Sequence, residues 1–199
     1  EMVVFGITGG SGSGKTSVSK MLEKLGVHII DTDVIAHEIV EPNSDCLNEL
    51  VDYFGDSILN DDKTLNRKKL ASIAFSDKQK TEALSNITHK YIKAEVVKDI
   101  NTTDAELVGI DGAVIIGSNV EPLCEFIVSV IADKQSRITR IKTRDNITDE
   151  QAIQRINAQN DDEFYKENSM YIIYNNGDIA QLESDVVGLF NKIKGNSFE

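Results

Sequence analysis

Residues 3–20 read VVFGITGGSGSGKTSVSK, an apolar run that gives way to glycines and then to one lysine and one threonine. No other stretch limits the fold as much. Val3-Val4-Phe5-Gly6-Ile7 has the length and continuous apolar character of a strand buried on both faces. The spacing then changes: Val18, Met21, Leu22 and Leu25 fall at i, i+3, i+4 and i+7, which predicts a helix over residues 17–25. Between the two lies Gly9-x4-Gly14-Lys15-Thr16, the phosphate-binding loop pattern. Glycines allow positive φ and let phosphate oxygens approach backbone N–H groups. The helix that follows adds the positive end of its dipole. Lys15 is predicted to reach the β- and γ-phosphates of a nucleotide, and Thr16 to offer its hydroxyl to Mg²⁺. Gly10, Ser11, Gly12, Ser13, Gly14, Lys15, Thr16 and Ser17 are therefore the candidate nucleotide-binding residues. A flexible Gly/Ser linker has a similar composition, but nothing in a linker calls for closure by Gly-Lys-Thr between two apolar elements.

The next strand, Val27-His28-Ile29-Ile30, ends in Asp31-Thr32-Asp33. In doubly wound sheets, carboxylates at strand C-terminal ends face the ligand crevice. If the strand continues, the two acids point the same way. One of them could then sit near Mg²⁺ or accept a proton from an attacking hydroxyl. The alternative is a pair of helix caps, because Val34-Ile35-Ala36-His37 begins a helical pattern.

Helical spacing recurs over 46–54, 68–75, 79–99, 135–144, 149–160 and 179–193, and short apolar strands over 107–111, 126–132 and 171–174. About five strands alternating with helices predict an α/β chain: a parallel sheet covered by helices on both faces, a three-layer arrangement. With 199 residues and 40% hydrophobic content, the chain suits one domain with insertions and is not disordered. Its net charge of −12 argues against general nucleic-acid binding, so an anionic substrate needs a local basic patch. No run approaches a membrane helix, and the first residues lack the basic-then-apolar pattern of a signal peptide. Cys46 and Cys124 have no CxxC spacing, so a zinc site is not expected and a reducing cytoplasm is.

Arg137, Arg140 and Arg144, within RITRIKTRD, share one helix face. Such a stripe is ordinarily a solvated face. In a chain with a phosphate loop it is also a candidate lid, whose arginines would neutralise the charge of phosphoryl transfer while excluding water.

Seven segments together resemble the dephospho-coenzyme A kinase family. They are GITGGSGSGKTSVS (6–19), IIDTDVIAHEIVEP (29–42), TLNRKKLASIAF (64–75), THKYI (88–92), RITRIKTRDNIT (137–148), RINAQ (155–159) and NNG (175–177). The resemblance covers nearly the whole chain and implies a P-loop NTPase fold, with a helical acceptor-binding insertion over 34–95 and a lid over 135–165. The implied reaction moves the γ-phosphoryl group of ATP to the ribose 3′-hydroxyl of dephospho-coenzyme A. It yields coenzyme A and ADP, the last step of coenzyme A synthesis, and the substrates would be ATP with Mg²⁺ and dephospho-coenzyme A.

By the same resemblance Asp33 is the catalytic aspartate and a candidate Mg²⁺ contact beside Thr16, with Asp111 the other candidate acid. Lys15, Arg140 and Arg144 complete the catalytic set, Arg144 being the closest to the transferring phosphate. Arg67, His89, Asp111 and Gln159 fall on the acceptor side, and Asn175 near the nucleotide base. From the residues alone, Arg67 is equally a surface charge and His89 equally a core histidine.

The chain departs from the family at 113–117. Ala113-Val114-Ile115-Ile116-Gly117 stands where relatives show Pro-Leu-Leu-x-Glu, and Ser118 or Asn119 could replace the lost glutamate in acceptor binding. Lys90 stands where a proline is common, and Tyr171 where an acid is usual. None of these changes touches Lys15, Thr16, Asp33 or Arg144, so retained activity is expected. Another small P-loop kinase acting on a nucleoside, nucleotide or small alcohol, and a non-catalytic nucleotide-binding paralogue, are the competing readings.

Overall fold

The computed structural model describes residues 2–196. These residues form five strands: β1 (Val3–Gly9), β2 (His28–Asp31), β3 (Leu107–Asp111), β4 (Phe126–Ile131) and β5 (Tyr171–Tyr174). The α-helices are α1 (Lys15–Lys24), α2 (Thr32–Glu38), α3 (Asp45–Phe54), α4 (Arg67–Ala74), α5 (Lys78–Thr102), α6 (Lys134–Asp145), α7 (Asp149–Asn157), α8 (Asp162–Glu167) and α9 (Ile179–Asn196). No helix among the described residues is long and apolar enough to cross a membrane. Two compact units emerge, one of residues 31–102 and one of the remaining chain.

In the larger unit the strands lie in the order β2-β3-β1-β4-β5, all parallel. β1 is central, with Val3 opposite Leu107 in β3 and Phe5 opposite Phe126 in β4. A central parallel strand has no solvent face, which is why Val3 to Ile7 is continuously apolar. Phe5 and Ile7 are fully buried and pack with Val18 and Leu22 of α1 and with Leu182, Val186, Leu189 and Ile193 of α9. Phe5 stacks on Phe126, and the Phe126 ring meets Tyr171 edge-on. Tyr171 thus fills its strand-opening position as a packing residue.

The smaller unit is helical. Asn66 caps α4, and Ser44 caps α3. Lys90 and Tyr91 of α5 both reach Glu49 of α3, at 2.6 and 2.7 Å.

Three of the boundaries that differ from the sequence expectation bear on the site. α1 begins at Lys15, so the loop lysine is itself the first helical residue. β2 ends at Asp31 because that side chain accepts hydrogen bonds from the N–H groups of Asp33 and Val34 and starts α2 there. The strand therefore does not continue to Asp33. The helix predicted over 149–160 ends at Asn157, and a separate short helix, α8, starts under the cap of Asp161.

Candidate phosphate-binding site

The loop between β1 and α1 is held by its backbone. Gly14, the N-cap of α1, has φ 87° and supplies no capping side chain. The first N–H groups of a helix have no intrahelical acceptor, so an uncapped start leaves donors for an anion. Gly12 also has positive φ, and a Cβ there would lie 2.6 Å from the Arg137 carbonyl oxygen of α6. A Cβ on Gly14 would run into the Asn175 amide. The glycines are thus required by close neighbours inside the protein as well as by any phosphate. Ser13 is buried, and its Oγ has no hydrogen-bond partner among the described residues. An unpartnered buried hydroxyl in a cradle rich in N–H donors fits an incoming oxyanion.

Lys15 forms an ion pair with Asp111 at the end of β3, and Ser19 Oγ donates to the other carboxylate oxygen at 2.6 Å. Thr16, in the first turn of α1, is exposed. Magnesium keeps water and phosphate oxygens and takes one or two protein oxygens, so the hydroxyl of Thr16 with one carboxylate suits it.

Helix α6 lies against the loop. Arg140 Nη1 donates to the carbonyls of Gly12 and Ser13 at 3.1 and 3.3 Å, and its Nη2 to the carbonyl of Asn175 at 2.9 Å. Asn175, at the end of β5, is buried and donates its amide to Ser13 O at 3.0 Å. Arg137 is buried too, with Nε on Ser11 O at 2.8 Å, although the sequence singled it out only as part of a stripe. Gln159 accepts from the Ser11 N–H at 2.8 Å, so its side chain lies on the phosphate loop. Arg144 points elsewhere. It makes a two-pronged contact with Asp145 at 2.8 and 2.9 Å, and Arg155 joins the same carboxylate. Those arginines pull the Asp145 pKa down to about 2.

In the smaller unit Asp33 is exposed in the first turn of α2. Arg67 opens α4, is exposed, and its Nη2 contacts His37 Nδ1 at 2.9 Å. His89 is exposed on α5, with Ser85 Oγ at 3.4 Å from its Nδ1, so it is not a core histidine.

The profile of the CoaE dephospho-CoA kinase family matches residues 3–181. The chain belongs to the dephospho-CoA kinase family. A dephospho-CoA kinase from Lactobacillus johnsonii is 34% identical over 191 residues, covering 94% of this chain and 96% of the relative. The solved dephospho-CoA kinase from Campylobacter jejuni is 26% identical with a TM-score of 0.70, covering 97% of this chain and 98% of that one. The Thermus thermophilus protein TT1252 has a TM-score of 0.82 at 22% identity, covering 96% of this chain and 98% of its own, and supports the fold. As a dephospho-CoA kinase relative the chain is a transferase acting on an alcohol group, at the final step of coenzyme A biosynthesis.

Within residues 113–117, Ile115 is buried and Val114 is exposed. The Ala113 carbonyl accepts from Thr8 Oγ1 at 3.3 Å, and residues 113–116 line a cavity of about 220 Å³ with Thr8, Gln159 and Tyr165.

Proposed function

We propose that ATP lies with its phosphates in the loop of residues 9–16 and passes its γ-phosphoryl group to the ribose 3′-hydroxyl of dephospho-coenzyme A. The observation that carries this reading is the uncapped N-terminus of α1 beneath a glycine loop, with Lys15 as its first residue. Backbone N–H groups bind the phosphate oxygens, and Lys15 exchanges Asp111 for the β- and γ-phosphates. Mg²⁺ would be held by the Thr16 hydroxyl together with phosphate oxygens, and when bound it neutralises phosphate charge. Asp111, both of whose oxygens are engaged, orients Lys15 and Ser19.

Asp33 accepts the proton of the acceptor hydroxyl as the new P–O bond forms. Arg67 and His89 bind the acceptor's anionic groups. Arg144 neutralises the transferring phosphoryl group after releasing Asp145, and Arg140 keeps the loop carbonyls and Asn175 in register beside it. The insertion over 34–95 would take the acceptor and residues 135–165 would serve as the lid. Both substrates are soluble metabolites, and the cytoplasm is the compartment we assign.

The test is a coupled assay of ADP formation at fixed ATP with a panel of acceptors. ADP release that needs dephospho-coenzyme A is expected. Equal rates with simple nucleosides would favour another small kinase, and no turnover with any acceptor would favour a non-catalytic nucleotide-binding chain.

A further inference from the structure

Arg137 is 6% exposed, unusual for a guanidinium. Its Nε donates to Ser11 O at 2.8 Å and its Nη2 to Gln159 Oε1 at 3.1 Å. The same Gln159 oxygen accepts from the Ser11 N–H at 2.8 Å, while Gln159 Nε2 donates to Ser11 Oγ at 3.2 Å. Two side chains thus hold one loop residue at its N–H, its carbonyl and its hydroxyl. The fit is close: a Cβ on Gly10 would meet the Arg137 guanidinium and come within 3.3 Å of Gln159 Oε1.

Burying a cation has a cost that hydrogen bonds to neutral acceptors only partly offset, and the fold bears that cost at the loop. A loop with glycines at 9, 10, 12 and 14 also loses much conformational freedom on ordering. If that loss occurred on nucleotide binding it would weaken affinity, and ordering in advance removes it.

We infer that Arg137 and Gln159 are positioning residues that fix residues 10–13 in the phosphate-receiving conformation before nucleotide arrives. They set the affinity for ATP more than the rate of transfer. The inference rests on the reading of residues 9–16 as the ATP phosphate site. It moves Gln159 from the acceptor side, where the family resemblance put it, to the nucleotide side.

The test uses the full chain and the variants Arg137→Met, Arg137→Lys, Gln159→Leu and the double Arg137→Met/Gln159→Leu. ATP binding is measured by calorimetry, kcat and both KM values by the coupled assay, and amide hydrogen exchange over residues 9–16 without nucleotide. Each single variant should weaken ATP binding about tenfold and speed exchange at 10–13. KM for ATP should rise far more than kcat falls, with KM for dephospho-coenzyme A unmoved. Arg137→Lys should recover part of the loss. The double variant should lose less than the two singles added, because both act through Ser11.

Unchanged ATP affinity together with unchanged exchange overturns the inference. A rise confined to the KM for dephospho-coenzyme A in Gln159→Leu overturns it as well. If the unaltered chain binds no ATP, the proposed function fails, and the exchange comparison still decides whether the loop is held. Should Arg137→Met not fold, Gln159→Leu, at a more exposed position, carries the same measurements.

Discussion

Lys15 and Asp111 hold each other: the ammonium lies on one carboxylate oxygen, and Ser19 occupies the other at 2.6 Å. Both side chains are largely withdrawn from water, at 16% and 6% exposure. The cation proposed to bind phosphate is therefore held on a fixed anion at the end of the neighbouring strand.

Lys15→Ala removes the cation and strands a buried carboxylate. It should abolish turnover and destabilise the chain by about 3 kcal/mol. Adding Asp111→Asn should restore most of that stability and none of the activity. Urea unfolding beside the coupled assay checks this, and equal instability of the single and double variants would sink it.

Gly14→Ala meets two obstacles, a φ of 87° and the Asn175 amide. Gly26→Ala meets only the first, since a Cβ there has open space around it at φ 103°. Each should cost stability on the order of 1–3 kcal/mol from backbone strain. Only Gly14→Ala should also lose ATP binding, as calorimetry on the two variants would reveal.

Asp33→Asn should leave ATP binding nearly intact and cut kcat by about 10²–10⁴-fold, the usual weight of a general base. Asp31→Ala should behave differently. It removes the cap of α2, so it should lower stability by about 1 kcal/mol with a smaller effect on rate. A near-normal rate in Asp33→Asn would remove its assigned role.

Asp145 titrates near 2 in the fold, below its ordinary value of 3.8, chiefly because Arg144 donates to it. The unfolded chain therefore binds more protons between those values. The stabilisation is present above about pH 4 and is lost as pH falls towards 2. Thermal unfolding of the native chain should show a steeper decline across this range than Asp145→Asn. Parallel curves would contradict the assignment.

Burial pushes the Cys46 thiol up to about 11 and the Cys124 thiol up to about 12. Neither forms appreciable thiolate at pH 8. Iodoacetamide at that pH should leave both unmodified in the folded chain and label both after denaturation, as intact mass would report.

The strand–loop–helix unit at 3–24 was legible because its apolar runs have distinct periods and its glycines have a chemical purpose. The parallel sheet followed from the apolar runs at 107–111, 126–132 and 171–174. Helix α8 escaped notice because Asp162–Glu167 is short, and its start rests on the single cap of Asp161. Spacing leaves open whether Asp33 extends the strand or follows a helix cap, because alternation of acids says nothing about whether the first of them will cap a helix.

Spacing put Arg137, Arg140 and Arg144 on one face and could not tell their environments apart. The first two are drawn down by carbonyls of the glycine loop, acceptors that leave no mark in the sequence. Arg144 is drawn aside by its own neighbour, Asp145.

The Ser13 carbonyl accepts a hydrogen bond from the side-chain amide of Asn175, a partner 162 residues further along the chain. In synthesis the loop is therefore made well before the side chain that steadies it. A nascent chain halted before that point would display every letter of the motif and still lack the finished cradle.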